Sequence, residues 1–262
     1  GGSGCRAGTG SGLTATTVRA AGAGFSGLGR GTMTALSAVL SAVLAAGPGV
    51  DLATVRRGVA RACVLDVGAE VVLFDYLLPR DLLEALARHR ITGLAGVPTL
   101  WSALAALDWP AEAVTHLRYL TNSGGTLPPA VLQRLRAALP DTQVFLMYGL
   151  TEAFRSTYLP PDELAHRPGS IGRAIPNARL AVVRPDGSLA AAGEPGELVH
   201  SGPLVALGYW RDPAATAQRF RPAPEAPPHG LGAERAVWSG DRVVADAAGY
   251  LTFLGREDEQ IK

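Results

Sequence analysis

The chain is almost without lysine. Of its 24 lysine and arginine residues, only Lys262 is a lysine, so chemistry that needs an internal amine has no candidate before the last position. Cysteine is nearly as scarce. Cys5 and Cys63 are too few and too far apart for a thiolate metal cluster or a disulfide framework, which points to a reduced, cytoplasmic compartment. Charge of one sign is lacking too: the net charge is +1, leaving no basic field suited to nucleic acid. The apolar run 33–47 falls short of the ~20 residues that span a bilayer and reads as a buried helix. No basic segment opens the chain ahead of an apolar one, so no secretory signal is expected. His89, His116, His166, His200 and His229 are scattered. There is no cysteine–histidine zinc spacing, no lipase-type G-x-S-x-G and no Walker lysine.

What is present is a globular balance, 47% hydrophobic and 18% charged, in a chain of 262 residues. Its texture is uneven. Residues 1–66 form an atypical segment, crowded with Gly, Ala, Ser and Thr over 1–30, where neither helical nor strand periodicity shows and little order is expected. From Ala69 onward, elements alternate. Strands are expected over 70–74, 91–97, 117–121 and 144–148, and helices over 79–89, 99–107 and 128–139. That order argues for an α/β core over 67–170, a parallel sheet with flanking helices, whose ligands would sit beyond the carboxyl ends of the strands. After Gly172 the helical signals fade. Segments 179–184, 197–200, 242–245 and 250–254, with turns at Pro185-Asp186-Gly187 and 246–249, read as a β-rich subdomain over 171–257. A Pro/Gly-rich loop is expected over 221–233.

Chemistry-bearing residues gather at the strand exits. Tyr148-Gly149-Leu150-Thr151-Glu152 joins an aromatic ring, a glycine, a hydroxyl and a carboxylate, a set useful for handling ATP and magnesium. Asn122-Ser123-Gly124-Gly125 lies at another exit. Downstream come Gly196-Glu197-Leu198, Gly208-Tyr209-Trp210, Ser239-Gly240-Asp241 and Gly255-Arg256-Glu257-Asp258. In order and spacing, over roughly residues 68 to 262, this series resembles the AMP-forming adenylate synthetases: acyl-CoA ligases, luciferases and peptide-synthetase adenylation domains. Asp75-Tyr76-Leu77-Leu78-Pro79-Arg80 and the stretch from Tyr148 through Pro161 resemble one branch, the acyl-CoA ligases associated with exosortase A systems.

The resemblance implies a partner for each side chain. Tyr148 would stack on adenine, with Gly124, Gly125, Thr126 and Gly149 completing the nucleotide-binding set. Gly124 and Gly125 let backbone approach the base because no Cβ intrudes. Thr151 and Glu152 would be the catalytic pair, a hydroxyl for a phosphate oxygen and a hard carboxylate for Mg2+. Asp241 would accept from the ribose hydroxyls, and Arg256 would donate to ribose or phosphate. The acyl pocket would include residues near Val97, Trp101 and Phe154. Each residue also has a plainer reading: a core tyrosine, a loop glycine pair, a helix-start Thr-Glu, a surface Asp and Arg, core aromatics. The reaction implied joins a small carboxylic acid to ATP, then passes the acyl group to a thiol of coenzyme A or of carrier-protein pantetheine. An acyl carrier protein is thereby an expected partner.

Two departures temper this. The family's phosphate loop ending in Pro-Lys-Gly has no counterpart in residues 1–66, where Gly8-Thr9-Gly10-Ser11-Gly12 lacks the proline and lysine. A shifted reading frame that returns near Val67 is the expected cause, and a divergent N-terminus the alternative. At the other end, Asp258 matches the hinge, residues 258–262 begin it, and Lys262 matches the hinge-proximal lysine. The resemblance implies a small C-terminal lid domain with a catalytic lysine beyond this hinge, and that domain is expected to be missing. Little synthetase activity and at best weak nucleotide binding are therefore expected, an inactive remnant being the second reading. A third is a dinucleotide-binding protein, since Gly22-Ala23-Gly24-Phe25-Ser26-Gly27 satisfies G-x-G-x-x-G; the poor strand before it argues against this.

Overall fold

The structure, a computed structural model, describes residues 13–20, 69–224 and 235–257. The apolar run 33–47, Gly22–Gly27, both cysteines, Val67, most of the 221–233 loop, Asp258 and Lys262 lie outside the described residues.

One sheet path runs through the fold in the order β2-β1-β3-β4-β5-β6-β7-β12-β11-β9-β8. Its first part holds β1 (Leu13–Ala20), β2 (Ala69–Tyr76), β3 (Gly93–Gly96), β4 (Tyr119–Asn122), β5 (Gln143–Tyr148), β6 (Thr157–Leu159) and β7 (Ser170–Ala174). Only β3, β4 and β5 pair in parallel; every other pairing in this part is antiparallel. The sheet is thus mixed, and the expected parallel arrangement is confined to its centre. The strand β1 departs from the expectation of no strand within 1–30. Three threonines and Val18 make its eight residues rich in β-branched side chains, and β-branching favours the extended backbone. The glycine-rich surroundings had masked that signal.

Helices α1 (Pro79–Arg88), α2 (Pro98–Leu104), α3 (Ala111–His116) and α4 (Pro129–Ala138) connect these strands. Proline opens α1, α2 and α4, where its missing N–H is one that the first turn leaves unpaired anyway. The Leu78 N–H donates to the Asp81 carboxylate at 3.0 Å, fixing the start of α1. Leu82, Leu86, Leu94, Trp101, Leu104, Leu120, Leu135 and Leu139 fill the core between helices and sheet. Trp101 is wholly buried there, a core residue rather than a pocket wall.

The second part holds β8 (Arg179–Val183), β9 (Pro195–Ser201), β10 (Phe220–Pro222), β11 (Arg235–Ala245) and β12 (Leu251–Arg256), all antiparallel. It is joined to the first through β7, which pairs with β6 on one side and β12 on the other. The helix α5 (Pro213–Arg219) also lies here, although helical signals fade in this region. Its start was nonetheless written: Asp212 accepts from the Ala215 N–H at 2.9 Å and Pro213 opens the first turn.

Candidate adenylate site

The first wall is the loop that leaves β5. A Cβ on Gly149 would collide with the Phe154 carbonyl oxygen, so only glycine lets the chain turn back this tightly. Phe154 takes a left-handed conformation (φ 61°), and the Ser156 N–H then donates to the Tyr148 carbonyl at 3.0 Å. Thr151 and Glu152 therefore stand at the apex of a closed loop, Thr151 exposed and Glu152 half-buried. Ala153 pins the apex by burying itself with Phe220 and Val237 of the second part. Behind the loop, Ser156 Oγ lies 2.8 Å from Nδ1 of the buried His200 on β9. Burial lowers the pKa of that imidazole to about 4, so it stays neutral.

The second wall is a corner in β11. Register breaks between Trp238 and Arg242 against β9, and Gly240 adopts φ 69°. Four hydrogen bonds hold the corner. Ser239 Oγ donates to the Leu198 carbonyl at 2.6 Å and accepts from the Asp241 N–H at 3.0 Å. Glu197 Oε1 accepts from the Gly240 N–H at 2.9 Å. The Glu257 N–H donates to the Gly240 carbonyl at 2.9 Å. Asp241 and Arg256, far apart in sequence, are direct cross-strand partners, with Arg256 Nε 3.6 Å from Asp241 Oδ1.

The two walls meet at one hydrogen bond. The Tyr148 hydroxyl donates to Asp241 Oδ2, and Phe253 flanks the Tyr148 ring with centroids 6.4 Å apart. Burial, then the neighbouring Asp241 carboxylate, raises the Tyr148 pKa far above the usual phenol range, so the hydroxyl remains a donor. Asp241 Oδ1 is buried and takes no hydrogen bond. A buried acceptor without a donor is costly, and a ligand hydroxyl is the kind of group that would complete it.

At the neighbouring exit, the Asn122 amide donates to the Gly125 carbonyl at 2.9 Å, and the Ser123 N–H to the Gly96 carbonyl at 3.1 Å. Gly124 and Gly125 pack on Val97 and Pro98. Because Asn122 is in register with Leu146, this loop emerges on the same sheet edge as Tyr148. Thr126 is exposed beyond it.

Asp241 is thus in direct contact with both Tyr148 and Arg256; Gly124, Gly125, Gly149, Thr151 and Glu152 line the same edge, with no direct contact between Glu152 and Asp241 among the described residues. Asn122, Glu197, Ser239 and Tyr209 were missed as individual residues, although each sits inside a quoted motif. Tyr209 donates its hydroxyl to Glu152 Oε1. Beside the corner, a cleft of about 720 Å3 is lined by Tyr209, Trp210, Arg219, Trp238, Gly240 and Glu257. It excludes Tyr148 and Glu152 and so adjoins the site without being it.

No cluster of three or more His, Cys, Asp or Glu capable of holding a metal exists among the described residues. Magnesium commonly needs only one or two carboxylates when phosphates and water supply its other ligands. Glu152, a hard donor whose carboxylate retains lone pairs beyond the Tyr209 bond, fits a cation shared with a bound phosphate. No helix among the described residues is long and apolar enough to cross a membrane.

Comparison with known proteins places the chain in a family. The family described as "AMP-binding enzyme" matches residues 56–210. The match begins upstream of Val67, so the family pattern reaches further toward the N-terminus than the motifs alone suggest. The chain is 39% identical to the "Probable non-canonical nonribosomal peptide synthetase (NRPS) CymA" of Salinispora arenicola (strain CNS-205), covering 75% of this chain and 2% of that protein. It is 32% identical to the benzoate–CoA ligase of Thauera aromatica, covering 76% of this chain and 36% of that one. Among solved structures, the anthranilate CoA ligase AuaEII in complex with anthranoyl-AMP matches with TM-score 0.61 and 27% identity, covering 75% of this chain and 36% of that chain. The chain spans about a third of the two ligases' length. On the family match and the relatives together, this chain belongs to the AMP-binding enzyme family.

Proposed function

We propose that this chain carries the nucleotide-binding half of an AMP-forming acid–thiol ligase. The carrying observation is the junction of Tyr148, Asp241 and Arg256, which puts an aromatic face, an unfilled buried acceptor and a guanidinium at one point. An adenosine monophosphate moiety offers a flat base, a pair of hydroxyls and a phosphate, one for each. Tyr148 is read as the stacking surface, Gly124, Gly125, Thr126 and Gly149 as the backbone around the base, and Asp241 with Arg256 as the ribose and phosphate contacts.

The reaction has two halves. A carboxylate oxygen of the acid attacks the α-phosphorus of ATP, and the bond to pyrophosphate breaks. A thiol sulfur then attacks the acyl carbon, AMP leaves, and the thiol proton passes to solvent. Thr151 offers a hydroxyl to a phosphate oxygen and Glu152 a carboxylate to Mg2+; the ion, when bound, would supply positive charge beside the phosphates. What this chain's residues contribute is positioning and charge at phosphorus, the main terms for such a step.

Because the relatives extend well beyond the matched part, nucleotide binding is proposed for these residues, and acyl activation and thiol transfer for the whole ligase, with Asp258 as its hinge. The thiol is that of coenzyme A or of a carrier-protein pantetheine. Relatives named as a CoA ligase and a peptide synthetase support that pair of acceptors. The Asp75–Arg80 and Tyr148–Pro161 wording supports the exosortase-associated branch, and the cysteine scarcity a cytoplasmic setting. The test is isothermal titration of the chain with AMP, with ATP and Mg2+, and with NADH. Saturable binding of the two adenylates and none of NADH is expected. Binding of NADH alone, or of nothing, would overturn the reading.

A further inference from the structure

Tyr209 is tied to Glu152 more thoroughly than a packing residue needs to be. Its hydroxyl donates to Glu152 Oε1, while the Ala206 N–H donates to the Glu152 main-chain carbonyl at 2.8 Å. The segment 206–209 thus grips Glu152 by side chain and backbone together. Tyr209 is itself held at both ends. Its N–H donates to Thr216 Oγ1 at 2.9 Å, and Thr216 Oγ1 donates to the Asp212 carbonyl at 2.6 Å, anchoring it to the first turn of α5. Its ring meets Phe220 edge-on, with centroids 5.5 Å apart at 75°, a favoured aromatic geometry. Burial raises the Tyr209 pKa, and the bond to Glu152 raises it further, against an opposing effect of Arg219; at neutral pH the phenol is a donor. Arg219 in turn donates to the Trp238 carbonyl at 3.1 Å, at the corner that carries Asp241.

A carboxylate that must receive a cation has to be turned correctly before the cation arrives. Residues one step back from a metal ligand commonly supply that orientation by a hydrogen bond to the ligand's second oxygen. Tyr209 has the position, the donor and the rigidity for it, and it comes from the loop that leads into α5, not from the β5 loop that carries Glu152. We propose that Tyr209 is a positioning residue: its hydroxyl fixes the Glu152 carboxylate through Oε1, so that the remaining lone pairs face a phosphate-bound cation. This rests on the reading of Glu152 as the metal-side carboxylate given above.

The readout is the ratio of ATP affinity with Mg2+ to ATP affinity without it, measured by isothermal titration of the full chain. The wild-type ratio comes first. If ATP does not bind saturably, or the ratio is one, the Glu152 reading fails and this proposal with it, before any variant is compared. Given a ratio above one, Tyr209→Phe keeps the ring on Phe220 and deletes only the donor. A fall of about tenfold in the ratio is expected, the usual scale for such second-layer partners. Glu152→Gln should remove the Mg2+ effect, and adding Tyr209→Phe to it should change the ratio no further. A wild-type ratio in Tyr209→Phe, or losses that simply add in the double variant, would overturn the proposal while leaving the site reading intact. Should Tyr209→Phe melt early, Tyr209→His, which restores a ring N–H donor, must retain more of the ratio than Tyr209→Phe; the reverse order contradicts the positioning role.

Discussion

The β5 loop and the β11 corner present their functional groups by different means. The loop is shaped by steric closeness: Gly149 lies against the Phe154 carbonyl, Phe154 turns left-handed, and Ala153 anchors the apex. The corner is shaped by hydrogen bonds drawn from three neighbours, through Ser239 to Leu198, Glu197 to Gly240, and Gly240 to Glu257. A sterically defined loop fails abruptly when one atom is added, whereas a stitched corner loosens by degrees. The Tyr148–Asp241 bond and the Ser156–His200 pair are where each part depends on the other.

The sharpest break is Gly149→Ala. Its added methyl has backbone, not a yielding side chain, in the way, so a loss of about 3 kcal/mol is expected in chemical denaturation, with nucleotide affinity lost alongside. The pH response of the joint comes next. His200 has its pKa lowered from 6.5 to about 4 by burial, so between those values the unfolded chain binds the extra proton. Stability is therefore complete above pH 6.5 and falls as pH drops toward 4, by on the order of 3 kcal/mol at the low end. Melting temperature against pH checks it; a flat profile over that window would separate the two parts. Tyr148→Phe should cost about 2 kcal/mol, since the buried Asp241 loses its donor. Ser239→Ala should cost about 1 kcal/mol and weaken nucleotide binding more than it weakens the fold, because Asp241 shifts while the sheet persists. If Ser239→Ala proved as severe as Gly149→Ala, the distinction between the two walls would fall. At the small end, Arg184→Ala breaks an exposed ion pair with Glu194 and should stay within about 0.5 kcal/mol.

Much of this was legible in the chain. The β3–β5 exits, α1 with its opening proline and Asp81, and the run from Tyr148 to Glu152 are written in local pattern and turn chemistry. The pairing of Asp241 with Arg256 was legible only as motif order, because cross-strand register depends on the 246–249 turn and on the shift at Arg242 and Val243. The strand β1 was hidden because its pairing is non-local, between β2 and β3, while its neighbours read as glycine-rich coil. The helix α5 carried a proper Asp-Pro start, but seven residues are too few for an apolar period to emerge. Tyr209 and Glu197 stood inside recognised motifs; what they touch, Glu152 and Gly240, lies 57 and 43 positions away, and only folding shows it.

The central claim is that the β5 loop and the β11 corner form one adenylate site. Isothermal titration of AMP, without metal, into the chain and into Asp241→Ala tests it most directly, since Asp241 is on the corner and Tyr148 on the loop. One saturable site in the wild-type chain, with affinity at least about tenfold weaker in Asp241→Ala, is the predicted result, matching the loss of charge-assisted hydrogen bonds worth about 1.5–3 kcal/mol. Equal affinity in the two proteins would contradict the claim.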